Sequence, residues 1–136
     1  MVVAGVFIFD EQNRILLQKR SDNGLWGHPG GYMELDETIE ETARRETWEE
    51  TGLTLGKLEL LGVYSGPNFE RTLQNGDEVS LVKFMFTCHE FSGTLHENND
   101  ETLQLRFFGL DELPEVWHLQ MPAFEDLLKH GAPFIR

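Results

Sequence analysis

The sequence predicts an α/β fold in which a mixed β-sheet is covered by helices. Apolar, strand-like runs recur along the chain, a helix-forming segment interrupts them at residues 38–51, and an amphipathic segment follows at residues 121–130. Strands and helices do not alternate regularly as β-α-β units, so a purely parallel sheet is not expected.

The composition predicts a single domain spanning residues 1–136, because 40% of the residues are hydrophobic and the length suits one core. The net charge of -13 argues against a nucleic acid polymer or an anionic membrane as the main partner, since both attract a cationic face. The one cysteine, Cys88, excludes an intrachain disulfide, and a reducing, cytoplasmic setting fits. The apolar run at the N-terminus is too short to span a bilayer.

The first 31 residues predict two strands and a loop. The runs VVAGVFIF (2–9) and RILLQKR (14–20) flank the polar turn DEQN, so the two strands are expected to pair as a hairpin. The following segment, SDNGLWGHPGG (21–31), is expected to be a loop because glycine and proline punctuate it.

The segment from about Thr38 to Thr51 predicts the main helix. Thr38 and Glu41 have the spacing of a capping box, in which each side chain bonds the backbone of the other residue. Gly52 stands where a glycine commonly ends a helix.

The rest of the chain predicts three further strands and a closing helix. The strands are LELLGVYSG (58–66), EVSLVKFMFTCHEF (78–91) and LQLRFFGL (103–110), and the second is expected to be one long strand. The closing helix is MPAFEDLLKH (121–130), followed by a glycine.

Three glutamates, Glu46, Glu49 and Glu50, concentrate negative charge on one face of the main helix. Like charges at this spacing repel by about 0.2–0.5 kcal/mol per pair. Spacing alone leaves two interpretations open: a solvated acidic face, which is common, and a site for a hard divalent cation. The turn PGG at Pro29–Gly31 favours the second, because its bare backbone can approach a metal or a phosphate.

Residues 31–53 resemble the Nudix box. The segment reads Gly31, YMELD, Glu37, TIEETAR, Arg45-Glu46, Thr47, Trp48, Glu49-Glu50, Thr51, Gly52, Leu53. Every charged and glycine position of the family pattern is matched. Two departures are mild: Thr47 stands where an apolar residue is usual, and Asp36 stands where a glycine often precedes the glutamate.

The resemblance implies a Nudix-type α/β/α sandwich with a mixed β-sheet. It also implies hydrolysis of a nucleoside diphosphate linked to another moiety, with Mg²⁺ or Mn²⁺ as cofactor and water attacking phosphorus. ADP-ribose-like compounds, nucleotide sugars, dinucleoside polyphosphates and oxidised dNTPs all remain open as substrates. The expected partner is therefore a small molecule, and a homodimer is plausible.

The resemblance also assigns roles to residues of the box. The implied metal ligands are Glu46, Glu49, Glu50 and the carbonyl of Gly31. Glu46 is in addition expected to orient or deprotonate the attacking water, and Arg45 to hold the carboxylates in place. The implied catalytic set is therefore Glu46, Glu50 and Arg45, together with a base outside the box. Glu101 is our choice for that base among the carboxylates of HENNDET (96–102), because it immediately precedes a strand.

Three basic residues are candidates for binding substrate phosphates. Lys19 and Arg20 end the second strand, and Arg71 lies in the segment GPNFERTLQNGDE. Lys19 and Arg20 could equally be surface charges, and Arg71 is the weaker candidate of the three. Phe69 or Trp117 could stack on a base, although aromatic residues more often belong to the core.

Two other functions remain as alternatives to a pyrophosphohydrolase. A Nudix-fold binding or sensor module would have lost catalysis, and the complete set of acidic residues argues against that. The isopentenyl-diphosphate isomerase branch uses a catalytic cysteine, but Cys88 lies in a predicted strand, where a small buried side chain is expected.

Overall fold

The computed structural model describes residues 1–96 and 102–136 and confirms the α/β class. Within these residues the strands are β1 (Val2–Ile8), β2 (Ile15–Arg20), β3 (Trp26–Gly27), β4 (Gly30–Tyr32), β5 (Leu53–Leu55), β6 (Leu58–Tyr64), β7 (Glu70–Thr72), β8 (Glu78–Ser80), β9 (Val82–Cys88), β10 (Phe91–Gly93), β11 (Thr102–Phe108) and β12 (Phe134–Ile135). The helices are α1 (Ile39–Thr51) and α2 (Met121–Leu127), with 3-10 turns at Pro67–Phe69 and His118–Gln120. No helix among the described residues is long and apolar enough to cross a membrane.

The principal sheet is mixed, as predicted. Its strand order is β12-β6-β9-β1-β4. β1 runs parallel to β9 and β12 runs parallel to β6, whereas β4 and β6 are antiparallel to their neighbours β1 and β9. A second sheet, in the order β11-β2-β3, lies beside it. This arrangement makes β4 an edge strand of the principal sheet.

Successive side chains of β1 point alternately into two hydrophobic cores, one on each face of the sheet. Val6 and Ile8 pack in the core that includes Ala43 of α1. Phe7 packs in the other core, which includes Phe124 of α2. The mixed sheet therefore lies between two helices, and the α/β/α sandwich is confirmed.

The predicted hairpin between the first two strands is wrong. β1 and β2 belong to different sheets and share only an isolated bridge between Phe9 and Ile15. The polar turn does form, closed by a hydrogen bond from the Asp10 amide to the Arg14 carbonyl (3.0 Å). Both edges of β1 are occupied by β9 and β4, so no edge remains for β2.

Helix α1 begins and ends where the sequence predicts. The Thr38 hydroxyl accepts a hydrogen bond from the Glu41 amide (3.1 Å), and the Glu41 carboxylate accepts one from the Thr38 amide (2.9 Å). Gly52 ends the helix with a left-handed φ of 84° and donates to the Trp48 carbonyl (2.9 Å). These signals are local, so they do not depend on the rest of the fold.

Three other predicted boundaries need correction. The loop predicted at 21–31 contains β3 and the start of β4. The long strand predicted at 78–91 is divided, because β8 pairs with β7 in a separate ribbon while β9 pairs with β1 and β6. The closing helix predicted at 121–130 ends at Leu127, where the amide of Leu128 bonds back to the Glu125 carbonyl in a tighter turn.

The buried hydroxyl of Thr47 leads to a prediction about stability. Thr47 is fully buried, and its Oγ1 has no hydrogen-bond partner among the described residues. The change Thr47→Val is expected to raise the free energy of unfolding by about 1 kcal/mol, because an unsatisfied buried polar group is removed at nearly constant shape. Urea unfolding followed by tryptophan fluorescence measures this change.

Thr51→Val is the matched control on the same helix. The Thr51 hydroxyl donates to the Thr47 carbonyl (2.6 Å) and accepts from the Leu53 amide (3.1 Å). Its loss is expected to lower the free energy of unfolding by about 1–2 kcal/mol. If the two substitutions change stability in the same direction, the assignment of the Thr47 hydroxyl as unsatisfied is wrong.

Candidate active site

A cavity of about 370 Å³ lies beside the edge strand β4, between α1 and the segment that precedes α2. Its volume is within the range typical of small-molecule sites. The polar side chains that line it are Gln18, Arg20, Ser21, Asp22, His28, Tyr32, Glu46, Glu50, Asn68, Glu70, Arg71, Lys83 and Gln120. Glu46 and Glu50 come from α1 at one wall, whereas the basic groups Arg20, Arg71 and Lys83 come from β2, β7 and β9. Two further acidic residues, Asp22 and Glu70, lie close to Arg20 and Arg71 in the chain.

Glu46 and Glu50 form a pair on successive turns of α1, and both line the cavity. Residues four apart on a helix project from the same face, which explains the pairing. Glu50 is only 4% exposed. Its carboxylate accepts hydrogen bonds from the Gln18 side-chain amide and from the Gly30 backbone amide (3.4 Å). Glu50 is therefore a buried carboxylate held in one orientation at the cavity wall.

Gly31 lies directly against the carboxylate of Glu46. A Cβ atom placed on Gly31 would overlap the Glu46 carboxylate group. Gly31 pairs with Ala4 in the antiparallel ladder between β4 and β1, so its backbone cannot move aside freely. A side chain at this position would displace the Glu46 carboxylate, so glycine allows the carboxylate to approach the main chain there.

Arg45 connects the acidic residues around the pair. Its guanidinium bonds Glu37 (2.6 Å), Glu46 (2.9 Å), Glu49 (3.3 Å) and the carbonyl of Tyr32 (2.9 Å). The hydrogen bonds from Arg45 lower the pKa of Glu37 to about 2, and those to Glu37 in turn raise the pKa of Arg45. Arg45 therefore stays charged and fixes the orientation of Glu46.

Burial raises the pKa of Glu46 above its usual value. The hydrogen bond and charge of Arg45 and a hydrogen bond with Glu50 act in the opposite direction but do not cancel the burial. Two adjacent, desolvated carboxyl groups favour retention of a proton between them unless a cation neutralises them. The pair is thus suited to proton transfer or to cation binding.

The oxygen atoms at the acidic wall of the cavity match part of the ligand set that a divalent metal requires. Mg²⁺ prefers oxygen ligands and commonly uses one or two carboxylates, several waters and substrate phosphates. Glu46, Glu50 and the adjacent backbone of Gly31 offer oxygens of this kind at one wall. Residues 1–96 and 102–136 contain no group of three or more Asp, Glu, His or Cys side chains that could hold a metal ion. The residues present fit an ion that completes its shell with water and substrate.

Glu49 does not join the pair as the sequence predicts. Its side chain is 48% exposed, lies outside the cavity lining and is bonded to Arg45. The Glu49 side chain therefore points to solvent, although it belongs to the acidic face predicted from the sequence. Glu101, the predicted base outside the box, lies outside the residues that the structure describes.

The structure brings two of the three predicted phosphate-binding residues to the cavity. Arg20 lines it, pairs with Asp22 (2.9 Å) and places its guanidinium 4.2 Å from the ring centroid of Trp117. Arg71 also lines it and donates to the Tyr32 hydroxyl (2.8 Å). The prediction for Lys19 is corrected, because Lys19 is not part of the lining.

Lys19 does not line the cavity because β2 is pleated, so its successive side chains alternate between the two faces of the sheet. Gln18 and Arg20 face the cavity, so Lys19 between them projects the other way. From the sequence, the phase of this alternation was not evident.

The cavity residues that sequence reasoning did not assign include Gln18, His28, Lys83 and Gln120. His28 is buried, its Nδ1 faces the Pro29 carbonyl (2.9 Å), and its backbone amide donates to the Gln120 side chain (2.9 Å). Burial, followed by the charge of Lys83, lowers the pKa of His28 well below its usual value. For Gln18 and Lys83, the sequence offers one signal: a polar residue within an apolar strand, as in ILLQKR and LVKFMF.

Several known proteins resemble this chain in sequence and in fold. A family model described as the NUDIX domain matches residues 1–128. A MutT-like protein of Streptomyces ambofaciens is 39% identical over 135 residues, which cover 98% of this chain and 80% of the relative. An ADP-ribose pyrophosphatase of Methanocaldococcus jannaschii is 38% identical over 112 residues, covering 80% of this chain and 62% of that protein.

A solved structure agrees with these relatives. The crystal structure of a MutT NUDIX hydrolase from Burkholderia pseudomallei superposes with a TM-score of 0.78 at 33% identity, covering 93% of this chain and 96% of that one. The fold and these relatives define a hydrolase that acts on diphosphate bonds. The chain belongs to the Nudix family.

Proposed function

We propose that this Nudix hydrolase cleaves a nucleoside diphosphate linked to another moiety, with Mg²⁺ or Mn²⁺, at the wall formed by Glu46, Glu50 and Gly31. The observation that carries the proposal is the carboxylate pair, buried at Glu50 and partly buried at Glu46, against a glycine backbone in a cavity of about 370 Å³. An anionic substrate would be repelled by two carboxylates alone, so a divalent cation is needed between them.

Each residue around the pair has a distinct role in this proposal. A bound divalent cation would neutralise charge on the diphosphate and activate water. Glu50, fixed by Gln18 and Gly30, supplies an oriented ligand oxygen. Glu46 orients the attacking water and accepts its proton, and its raised pKa brings it closer to the range useful for a general base.

Glu49 is proposed as a further oxygen donor that enters the site only when the cation is present. Its half-exposed side chain is free to change rotamer, and its bonds to Arg45 are long, at 3.3 and 3.4 Å. Breaking the ion pair between Arg45 and Glu49 to admit a divalent cation has a small free-energy cost, because exposed ion pairs contribute about 0–1 kcal/mol to stability.

The substrate phosphates are proposed to lie between the acidic wall and the basic residues Arg20 and Arg71. Both guanidiniums line the cavity, and guanidinium groups match phosphate oxygens in geometry and charge. Arg71 is held by the Tyr32 hydroxyl, which limits its loss of side-chain entropy when it binds phosphate. The indole of Trp117 offers an aromatic surface next to Arg20.

ADP-ribose-like compounds are the first substrates to test, because one relative is an ADP-ribose pyrophosphatase. Nucleotide sugars, dinucleoside polyphosphates and oxidised dNTPs belong in the same panel. Each is incubated with Mg²⁺, with Mn²⁺ and with EDTA, and the nucleotide products are separated and quantified by anion-exchange chromatography. We expect turnover of at least one member that requires the metal. Tight binding of a nucleotide without any turnover would contradict the proposal and support the sensor alternative.

A further inference from the structure

Lys83 is a buried cation that the proposed chemistry does not use. It lies on β9 with only 7% of its surface exposed, and it lines the cavity. Its strand neighbours across the sheet are Val3 on β1 and Tyr64 on β6. Among residues 1–96 and 102–136, no charged group and no hydrogen-bond acceptor offsets the burial of the Lys83 ammonium.

An unpaired ammonium in such a position is costly to the fold. Lysine is rarely buried without a partner, because the charged form loses its hydration. Burial accordingly lowers the pKa of Lys83 to about 7. A methionine would fill the same volume without this penalty, so the contacts among the described residues do not explain a lysine here.

The position of Lys83 separates it from the acidic wall. Strand β1 lies between β9 and β4, so Lys83 stands two interstrand spacings from the strand that carries Gly31, or about 10 Å. Both positions open into one cavity. A substrate whose diphosphate lies at the acidic wall would therefore reach Lys83 with a different part of the molecule.

We infer that Lys83 is a specificity-determining residue that donates hydrogen bonds to an acceptor oxygen of the substrate, on the nucleobase or on the second moiety. The inference rests on the proposed function, because it assumes that the diphosphate lies at Glu46 and Glu50. An ammonium has three donors and no acceptor, so it pairs with carbonyl, hydroxyl or phosphate oxygens and disfavours an amino group at the same place.

The test uses ADP-glucose and GDP-glucose, which differ only in the base. Kd is measured for both sugar nucleotides with Ca²⁺ in place of Mg²⁺, under conditions in which no turnover is detected, and KM and kcat are measured with Mg²⁺. The variant Lys83→Met is compared with the parent protein and with Lys57→Met, which removes an exposed lysine that does not line the cavity.

Lys83→Met is expected to raise Kd and KM at least about tenfold, the scale of a lost hydrogen bond to a charged group. We expect kcat to change much less, because binding of this kind is shared by ground and transition states. The melting temperature should rise, since a buried unpaired amine has been removed. Lys57→Met should leave all these values close to those of the parent.

The two sugar nucleotides distinguish the source of the oxygen. If it is the base carbonyl, the parent prefers GDP-glucose and Lys83→Met abolishes that preference. If it belongs to the second moiety, both ligands weaken equally. Unchanged Kd values for both would overturn the inference, and Lys83→Leu, which also removes the donor, provides the same comparison should the methionine variant not fold. A parent that binds but does not hydrolyse would overturn the proposed function and leave the Lys83 result standing.

Discussion

Replacing Glu50 with glutamine is expected to lower kcat on the best substrate at least about a hundredfold, the scale of losing a key electrostatic contributor. Glu50 is buried at the cavity wall and is oriented by Gln18 and the Gly30 amide. An amide of the same size keeps the shape but removes the negative charge that would hold a cation. The measurement is steady-state kinetics with saturating Mg²⁺.

The fold should survive this substitution with a modest loss of stability. The new amide brings N–H donors toward the Gln18 side chain, whose Oε1 already accepts from the Thr102 hydroxyl (2.7 Å) and so opposes a flip. We expect a loss of about 1–3 kcal/mol from the mismatched donor. Glu40→Gln is the matched control, because Glu40 is an exposed glutamate of the same helix outside the cavity. Equal activities of the two variants would refute the role of Glu50.

Millimolar Mg²⁺ or Mn²⁺ is expected to raise the melting temperature of the parent protein. The adjacent carboxyl groups of Glu46 and Glu50 are desolvated, and a ligand that binds only the folded state stabilises it by mass action. For a metal at about 100 times its Kd the gain is about 2.7 kcal/mol. Differential scanning fluorimetry over a metal titration measures this shift.

Variants of the two neighbouring glutamates separate their contributions. The double change Glu49→Gln plus Glu50→Gln should abolish the metal-dependent rise. Glu49→Gln alone should reduce it, because in our proposal Glu49 joins the site only after it leaves Arg45. A double variant that responds to metal as the parent does would show that the cation binds elsewhere.

The helix that carries the site could be predicted from the sequence because its signals are local. The capping box at Thr38 and Glu41 and the left-handed Gly52 each involve residues close in the chain. The predicted hairpin was wrong because strand pairing is not decided by local signals. Pairing of β1 with β9 joins residues about half the chain apart, and nothing in the apolar runs specifies that choice.

The same distinction applies to the candidate site. Glu46 and Glu50 lie one helical turn apart, so their proximity follows from helix geometry. Gln18, Lys83 and Gln120 reach the cavity from three distant segments that only the tertiary fold brings together. For Arg20 and Lys19, only the phase of the side-chain alternation along β2 was missing, since a shift of one residue decides which side chain faces the cavity.

We expect water to attack phosphorus at the carboxylate pair without a covalent intermediate. Helix α1 contains no histidine, and His28 in the cavity lining has no hydroxyl bonded to its Nε2 among the described residues, so neither offers an activated hydroxyl nucleophile. A single turnover in ¹⁸O-labelled water, with Mg²⁺ and the best substrate, tests this claim by mass spectrometry of the products and of the acid-quenched enzyme. Direct hydrolysis would place one label on a phosphate product and leave the protein mass unmodified, whereas a phosphoryl or nucleotidyl adduct, or label on a sugar carbon, would overturn this mechanism.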